Sequence, residues 1–82
     1  MKKFIIKISY SWGDEEEPIK MNAADKWGPF NHMCNLAIKE YQIECQEHPE
    51  YANETVIKIF ENKIIVHYGH DDEECYYELE EI

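Results

Sequence analysis

Arginine is absent. All eight basic residues are lysine, set against eighteen Asp and Glu, so the formal net charge is −10. Without guanidinium forks the chain lacks the planar donors that grip phosphate in a bidentate way. Its excess of negative charge would repel a nucleic-acid backbone rather than release its counterions. Direct nucleic-acid binding is therefore not expected. Cysteine is scarce as well: Cys34, Cys45 and Cys75 are odd in number and form no C-x-x-C pair. That excludes a disulfide framework and paired zinc-ligand spacing, leaving three reduced thiols that pack as small apolar residues in a cytoplasmic protein. Long apolar runs are missing; a stretch such as IIV at 64–66 is far too short to cross a bilayer. Lys2 and Lys3 precede Phe4–Ile6 as in a leader, but Lys7 and Ser9 interrupt the run and no cleavage pattern follows. With three glycines there is no phosphate-cradling loop, and neither G-x-S-x-G nor H-E-x-x-H occurs. No catalytic residues and no cofactor are expected, and the chain does not read as an enzyme.

What is present is enough for one small folded domain over residues 1–82. Apolar residues make up 44% of the chain, which supports a core despite 32% charge. Residues 3–12, KFIIKISYSW, put Phe4, Ile6, Ile8, Tyr10 and Trp12 on one face of a strand. GDEEEP at 13–18 breaks it, and 19–27 is ambiguous. From Gly28 to about His48 a helix is predicted, with Gly28 as N-cap and Pro29 at the first helical position. Phe30, Met33, Cys34, Ala37, Ile38, Tyr41 and Cys45 form its buried stripe, and Pro49 ends it. TVIKIFE and IIVHY read as a hairpin around Asn62-Lys63, with Ile57, Ile59, Val66 and Tyr68 on one face and Val56, Lys58, Phe60, Ile65 and His67 on the other. A turn from Gly69 to Glu73 leads into ECYYELEE, where Cys75, Tyr77 and Leu79 alternate with Tyr76, Glu78 and Glu80. The expected fold is α+β: a four-stranded, mostly antiparallel sheet, β-α-β-β-β along the chain, with one long helix on one face.

The acids are not evenly spread. Residues 14–17 and 71–82 together hold eleven of the eighteen, interleaved with Trp12, Tyr76 and Tyr77. In HYGHDDEEC, His67 and His70 with the acids after them supply every ligand type, yet adjacent carboxylates are not a calcium loop. Two histidines three apart on a strand-to-turn segment do not converge, so no metal site is expected. Self-repulsion in such clusters costs stability, and aromatics beside carboxylates have the composition of a surface that anchors and steers a basic partner. The expected partner-binding residues are Trp12, Asp14, Glu15, Glu16 and Glu17 in the first cluster. The second contributes Asp71, Asp72, Glu73, Glu74, Tyr76, Glu78, Glu80 and Glu81. Outward residues of the last strand lie about 6.8 Å apart, near the phosphate spacing of a nucleic-acid strand. The expected partner is a basic nucleic-acid-handling enzyme, inhibited by this surface. In size, charge and topology class, though in no motif, the chain is similar in kind to immunity proteins that neutralise nuclease toxins and to phage proteins that disarm bacterial nucleases. The competing expectation is a small adaptor or regulatory subunit that docks by a sheet edge or by the apolar Val56, Phe60 and Ile65 face.

Overall fold

The computed structural model describes residues 1–82 and contains five strands and one long helix. Along the chain they are β1 (Lys2–Tyr10), β2 (Ile19–Ala23), α1 (Trp27–Glu47), a 3-10 helix at Pro49–Glu54, β3 (Val56–Ile59), β4 (Lys63–His67) and β5 (Glu74–Glu81). All neighbours are antiparallel, in the order β2-β1-β5-β4-β3. The fold is the expected α+β sheet with one helix, enlarged by one strand. β2 is that strand: Ile19, Met21 and Ala23 alternate with Lys20 and Asn22, and pairing with β1 sets Ile19 opposite Ile6 and Met21 opposite Phe4. Five residues is an ordinary strand length, but Asn22 and the Asp25 after it also suit a turn; pairing with β1 decides for the strand. β1 thus sits between β2 and β5, shielded on both sides, as its apolarity requires.

Alternation puts Phe4, Ile6, Ile64, Val66, Cys75, Tyr77 and Leu79 on the face under α1, where they are buried with Met33 and Ala37 of the helix. The helix begins at Trp27, with the Trp27 N–H donated to Asp25 Oδ1 at 3.0 Å, so Lys26 rather than Gly28 is the N-cap and the start lies two residues before Pro29. Its fully buried residues are Pro29, Met33 and Ala37. Ile38, expected in the stripe, is exposed, and Cys34, Tyr41 and Cys45 are only half-buried. The buried line runs on from Ala37 to Glu40 and Glu44, both withdrawn from solvent in part. This rotation takes two carboxylates to the sheet.

The hairpin turn lies at Glu61-Asn62 rather than Asn62-Lys63, closed by the Phe60 N–H donated to the Lys63 carbonyl at 2.8 Å. Pairing therefore sets Ile57 against Val66 and Ile59 against Ile64. The slide along β4 is an even number of residues, so every side chain keeps its expected face. Trp12 is the other departure. β1 ends at Tyr10, whose N–H is donated to the Asp14 carbonyl at 2.9 Å, and Gly13 turns the chain at φ +100. Trp12 is carried out of the strand and is 48% exposed. The chain then runs back along β1: Glu15 bridges to Ser9, and the Glu16 N–H is donated to the Ile8 carbonyl at 2.9 Å.

Candidate acidic cleft and sheet face

The end of β1 brings the two acidic segments together. The Ser11 N–H is donated to the Glu74 carbonyl at 2.9 Å, the Glu74 N–H to Ser11 Oγ at 2.8 Å, and Ser11 Oγ to the Glu73 carboxylate. Ser11 is 62 and 63 positions from Glu73 and Glu74, so their contact is a tertiary one. The loop after β1, the turn after β4 and the last turns of α1 enclose a cleft of about 520 Å³. Asp14, Glu15, Glu16, Glu40, Glu44 and Asp71 supply six carboxylates to its wall; Tyr10, Trp12, Tyr68 and His70 complete it, and no lysine lines it.

The aromatics form a connected group. Tyr10 stacks on Trp12 with ring centroids 4.6 Å apart and planes 19° from parallel, and Trp12 meets Tyr68 at 6.1 Å. Their polar atoms hold the acids in place. Tyr10 Oη donates to Glu16 Oε1 at 2.9 Å, Trp12 Nε1 to Asp14 Oδ2 at 2.7 Å, and Tyr68 Oη to Glu40 Oε1 at 2.9 Å. Burial, aided by hydrogen bonding to these carboxylates, pushes the Tyr10 and Tyr68 hydroxyls well above the ordinary tyrosine range. They remain donors at any physiological pH. Burial likewise raises Glu44 above the usual glutamate value; nearby His70 works against that, and Glu40 adds to it. Carboxylates gathered on one wall, four of them exposed and two half-buried, attract a guanidinium or ammonium group, and the indole face adds a cation–π surface.

Of the residues singled out from sequence, Trp12, Asp14, Glu15, Glu16 and Asp71 line this cleft, and Glu73 and Glu74 fasten its rim. Glu17 turns to an adjacent groove lined by Ile8, Ile19, Leu36 and Ile43. Asp72 adopts φ 58, a left-handed turn position that Asp tolerates better than most residues, and its carboxylate lies 3.4 Å from His67 Nε2. Tyr76, Glu78 and Glu80 are elsewhere. β5 is an inner strand, so they project from the uncovered sheet face rather than from an edge. There they meet cations: Lys7 Nζ is 3.1 Å from Glu80, Lys63 Nζ is 3.6 Å from Glu78 and lies 5.1 Å over the Tyr76 ring. Glu74 shares His67 Nδ1 at 3.2 Å and a hydrogen bond from Tyr76 Oη at 3.0 Å. The His67 hydrogen bond, against the opposing effect of burial, holds the Glu74 carboxyl below its usual range. Glu81 is opposite Phe4, at the far end of the sheet from the cleft. The row on β5 is thus partly neutralised, whereas the cleft is not.

Tyr10, Glu40, Glu44, Tyr68 and His70 were missed as site residues: Tyr10 and Tyr68 read as core, His70 as part of a turn, and a helical carboxylate reads as solvated until the element beneath it is known. The one available signal was the i, i+4 spacing of Glu40 and Glu44, continuing the Met33–Ala37 line. No family model matches the chain, and neither does any curated protein or solved structure.

Proposed function

We propose that this protein is a non-enzymatic inhibitor that binds a basic nucleic-acid-handling enzyme, with a lysine or arginine of that enzyme seated in the acidic cleft. The observation that carries the reading is the convergence of six carboxylates and three aromatic rings in a cleft that no lysine enters. Folding already holds the group rigid through the Tyr10, Trp12 and Tyr68 hydrogen bonds, so little ordering cost remains for binding. Immunity to a nuclease toxin and disarming of a host nuclease are two settings for the same chemistry. Carboxylates in the cleft, more than the lysine-paired row on β5, take the place of nucleic-acid phosphates in this reading.

The test is inhibition of a panel of cationic nucleases by the intact chain, with association rates measured for each enzyme that is inhibited. An on-rate falling at least tenfold between about 20 and 150 mM salt is expected for steered association. Charge removal in the cleft, by Glu15→Gln, Glu16→Gln and Asp71→Asn together, should weaken inhibition at least 100-fold, as loss of desolvated charge pairs does. Glu78→Gln with Glu80→Gln should change it by about threefold or less, the scale of exposed, already paired charges. An on-rate that ignores salt would reject the proposal.

One observation favours a second reading, a docking subunit. β3 is an edge strand; of the expected Val56, Phe60 and Ile65 face, Val56 and Phe60 are 41% and 52% exposed and Ile65 is half-buried, while Ile59 on the other face is 57% exposed. An exposed apolar edge offers both backbone pairing and an apolar contact. Association through it would be insensitive to salt and lost on Phe60→Lys.

A further inference from the structure

At one corner of the cleft, the end of α1 meets the turn after β4. Glu44 lies in the last turn of α1, His48 is the residue that caps its end, and the turn supplies His70. One ligand atom from each of Glu44, His48 and His70 lies within 4.8 Å of the other two. The His48 and His70 rings are stacked, centroids 3.8 Å apart and planes 11° from parallel. Glu44 Oε2 and His70 Nδ1 face one another at 3.2 Å, both atoms are buried, and neither has a hydrogen-bond partner. They are near enough for a hydrogen bond but misaligned for one. Leaving two such atoms buried and unpaired costs free energy that a shared cation would recover.

We propose that Glu44, His48 and His70 form a binding site for a divalent transition-metal cation of the zinc class. Two imidazoles and one carboxylate are a donor set that zinc accepts, and tetrahedral ligands at about 2.0–2.1 Å stand about 3.4 Å apart. The Glu44–His70 separation already matches that value. A metal lies in the plane of each imidazole it binds, so the stacked His48 and His70 rings must part: one turns out of the stack about its own side-chain bonds, closing a spacing of up to 4.8 Å by as much as about 1.4 Å. Asp71 Oδ2 lies 3.2 Å from His70 Nε2. The Asp71 charge beside Nε2 favours the proton on that nitrogen and leaves the Nδ1 lone pair free for a cation. The backbone adds its own pull. The last turn of α1 carries no basic residue, so the negative end of the helix dipole is uncompensated at this corner. Bound metal would fasten the end of α1 to the turn that carries Asp71. The site is separate from any partner: it would exist in the isolated chain whether or not the inhibitor reading holds.

The experiment is calorimetric titration of the chelator-stripped full chain with zinc, together with a cobalt(II) titration followed by visible absorption. One saturable equivalent is expected, with cobalt d–d bands and no thiolate charge-transfer band. His48→Ala, His70→Ala and Glu44→Gln should each weaken zinc at least tenfold, and Asp71→Asn, which removes only a half-exposed charge near His70, by about threefold or less. His32→Ala and His67→Ala should stay within twofold of the parent. Should a substitution disturb the fold by circular dichroism, proton NMR of the parent decides: the His48 and His70 ring signals should move on zinc addition, while those of His32 and His67 stay. Absence of one-to-one binding would overturn the proposal. So would binding that survives loss of both His48 and His70, or a thiolate band that places the metal on cysteine.

Discussion

Replacing Gly69 with alanine probes the joint that holds the cleft together. Gly69 is buried beneath the 3-10 helix, and a Cβ added to it would meet Glu54 Cβ at 2.7 Å, the Glu54 carbonyl carbon at 2.8 Å and the Tyr51 oxygen at 2.8 Å. Carbon atoms in favourable contact stand about 3.5–4.0 Å apart, so the misfit is about 1 Å. Two of the three obstacles are backbone, so no side chain can rotate away and the whole turn must lift. That turn is held from below: the Gly69 N–H donates to Thr55 Oγ1 at 3.2 Å, and Thr55 Oγ1 donates to the Tyr51 carbonyl at 3.1 Å. Overpacking costs about 1–3 kcal/mol in general, and a blocked backbone puts Gly69→Ala at about 2–3 kcal/mol. For a domain of this length about 1 kcal/mol moves Tm by about 4–8 °C, so a fall of roughly 10–20 °C is expected. Urea unfolding of the variant beside Gly13→Ala is the assay. Gly13 has φ +100 with nothing within 4 Å of its added Cβ, so that control carries only the conformational penalty, about 1–2 kcal/mol. Gly69→Ala losing less than about 0.5 kcal/mol, or less than the control, would refute the packing argument.

Tyr68→Phe removes the donor to Glu40 from a buried ring. It should cost about 1–2 kcal/mol, with a coupling to Glu40→Gln near 1 kcal/mol in a double-mutant cycle of urea midpoints; additive losses would deny the contact. Burial leaves the Cys75 side chain inaccessible and pushes its thiol up to about 11. A thiol reagent at about pH 8 should label Cys75 only at the rate of unfolding, and rapid native labelling would mean that β5 opens. Because the folded Glu74 carboxyl sits below its ordinary value of 4.5, its contribution to stability is present above that value and is lost as pH falls through the folded one. Glu74→Gln should therefore flatten the acid limb of stability, followed by urea unfolding from about pH 6 down to about pH 3. An acid limb as steep as the parent's would place the sensitivity on another group.

By itself the sequence determined the elements that alternate or recur strongly. Phe4, Ile6 and Ile8, and then Cys75, Tyr77 and Leu79, leave one reading of β1 and β5, because period two admits one buried face. The Met33–Ala37 line and Pro49 likewise frame α1. Composition alone excluded a disulfide framework and showed where the acids gather. Tertiary structure decided what those acids face. Whether β2 pairs, which way α1 rolls and which carboxylates meet lysines depend on partners far along the chain. Lys7 and Glu80 are 73 residues apart, and Tyr68 and Glu40 are 28. Glutamate on a helix has the same local chemistry whether water or a tyrosine hydroxyl lies beneath it. Periodicity finds the apolar side of an element, but the neighbour across the gap sets whether a carboxylate at its margin is solvated, paired or left facing a histidine.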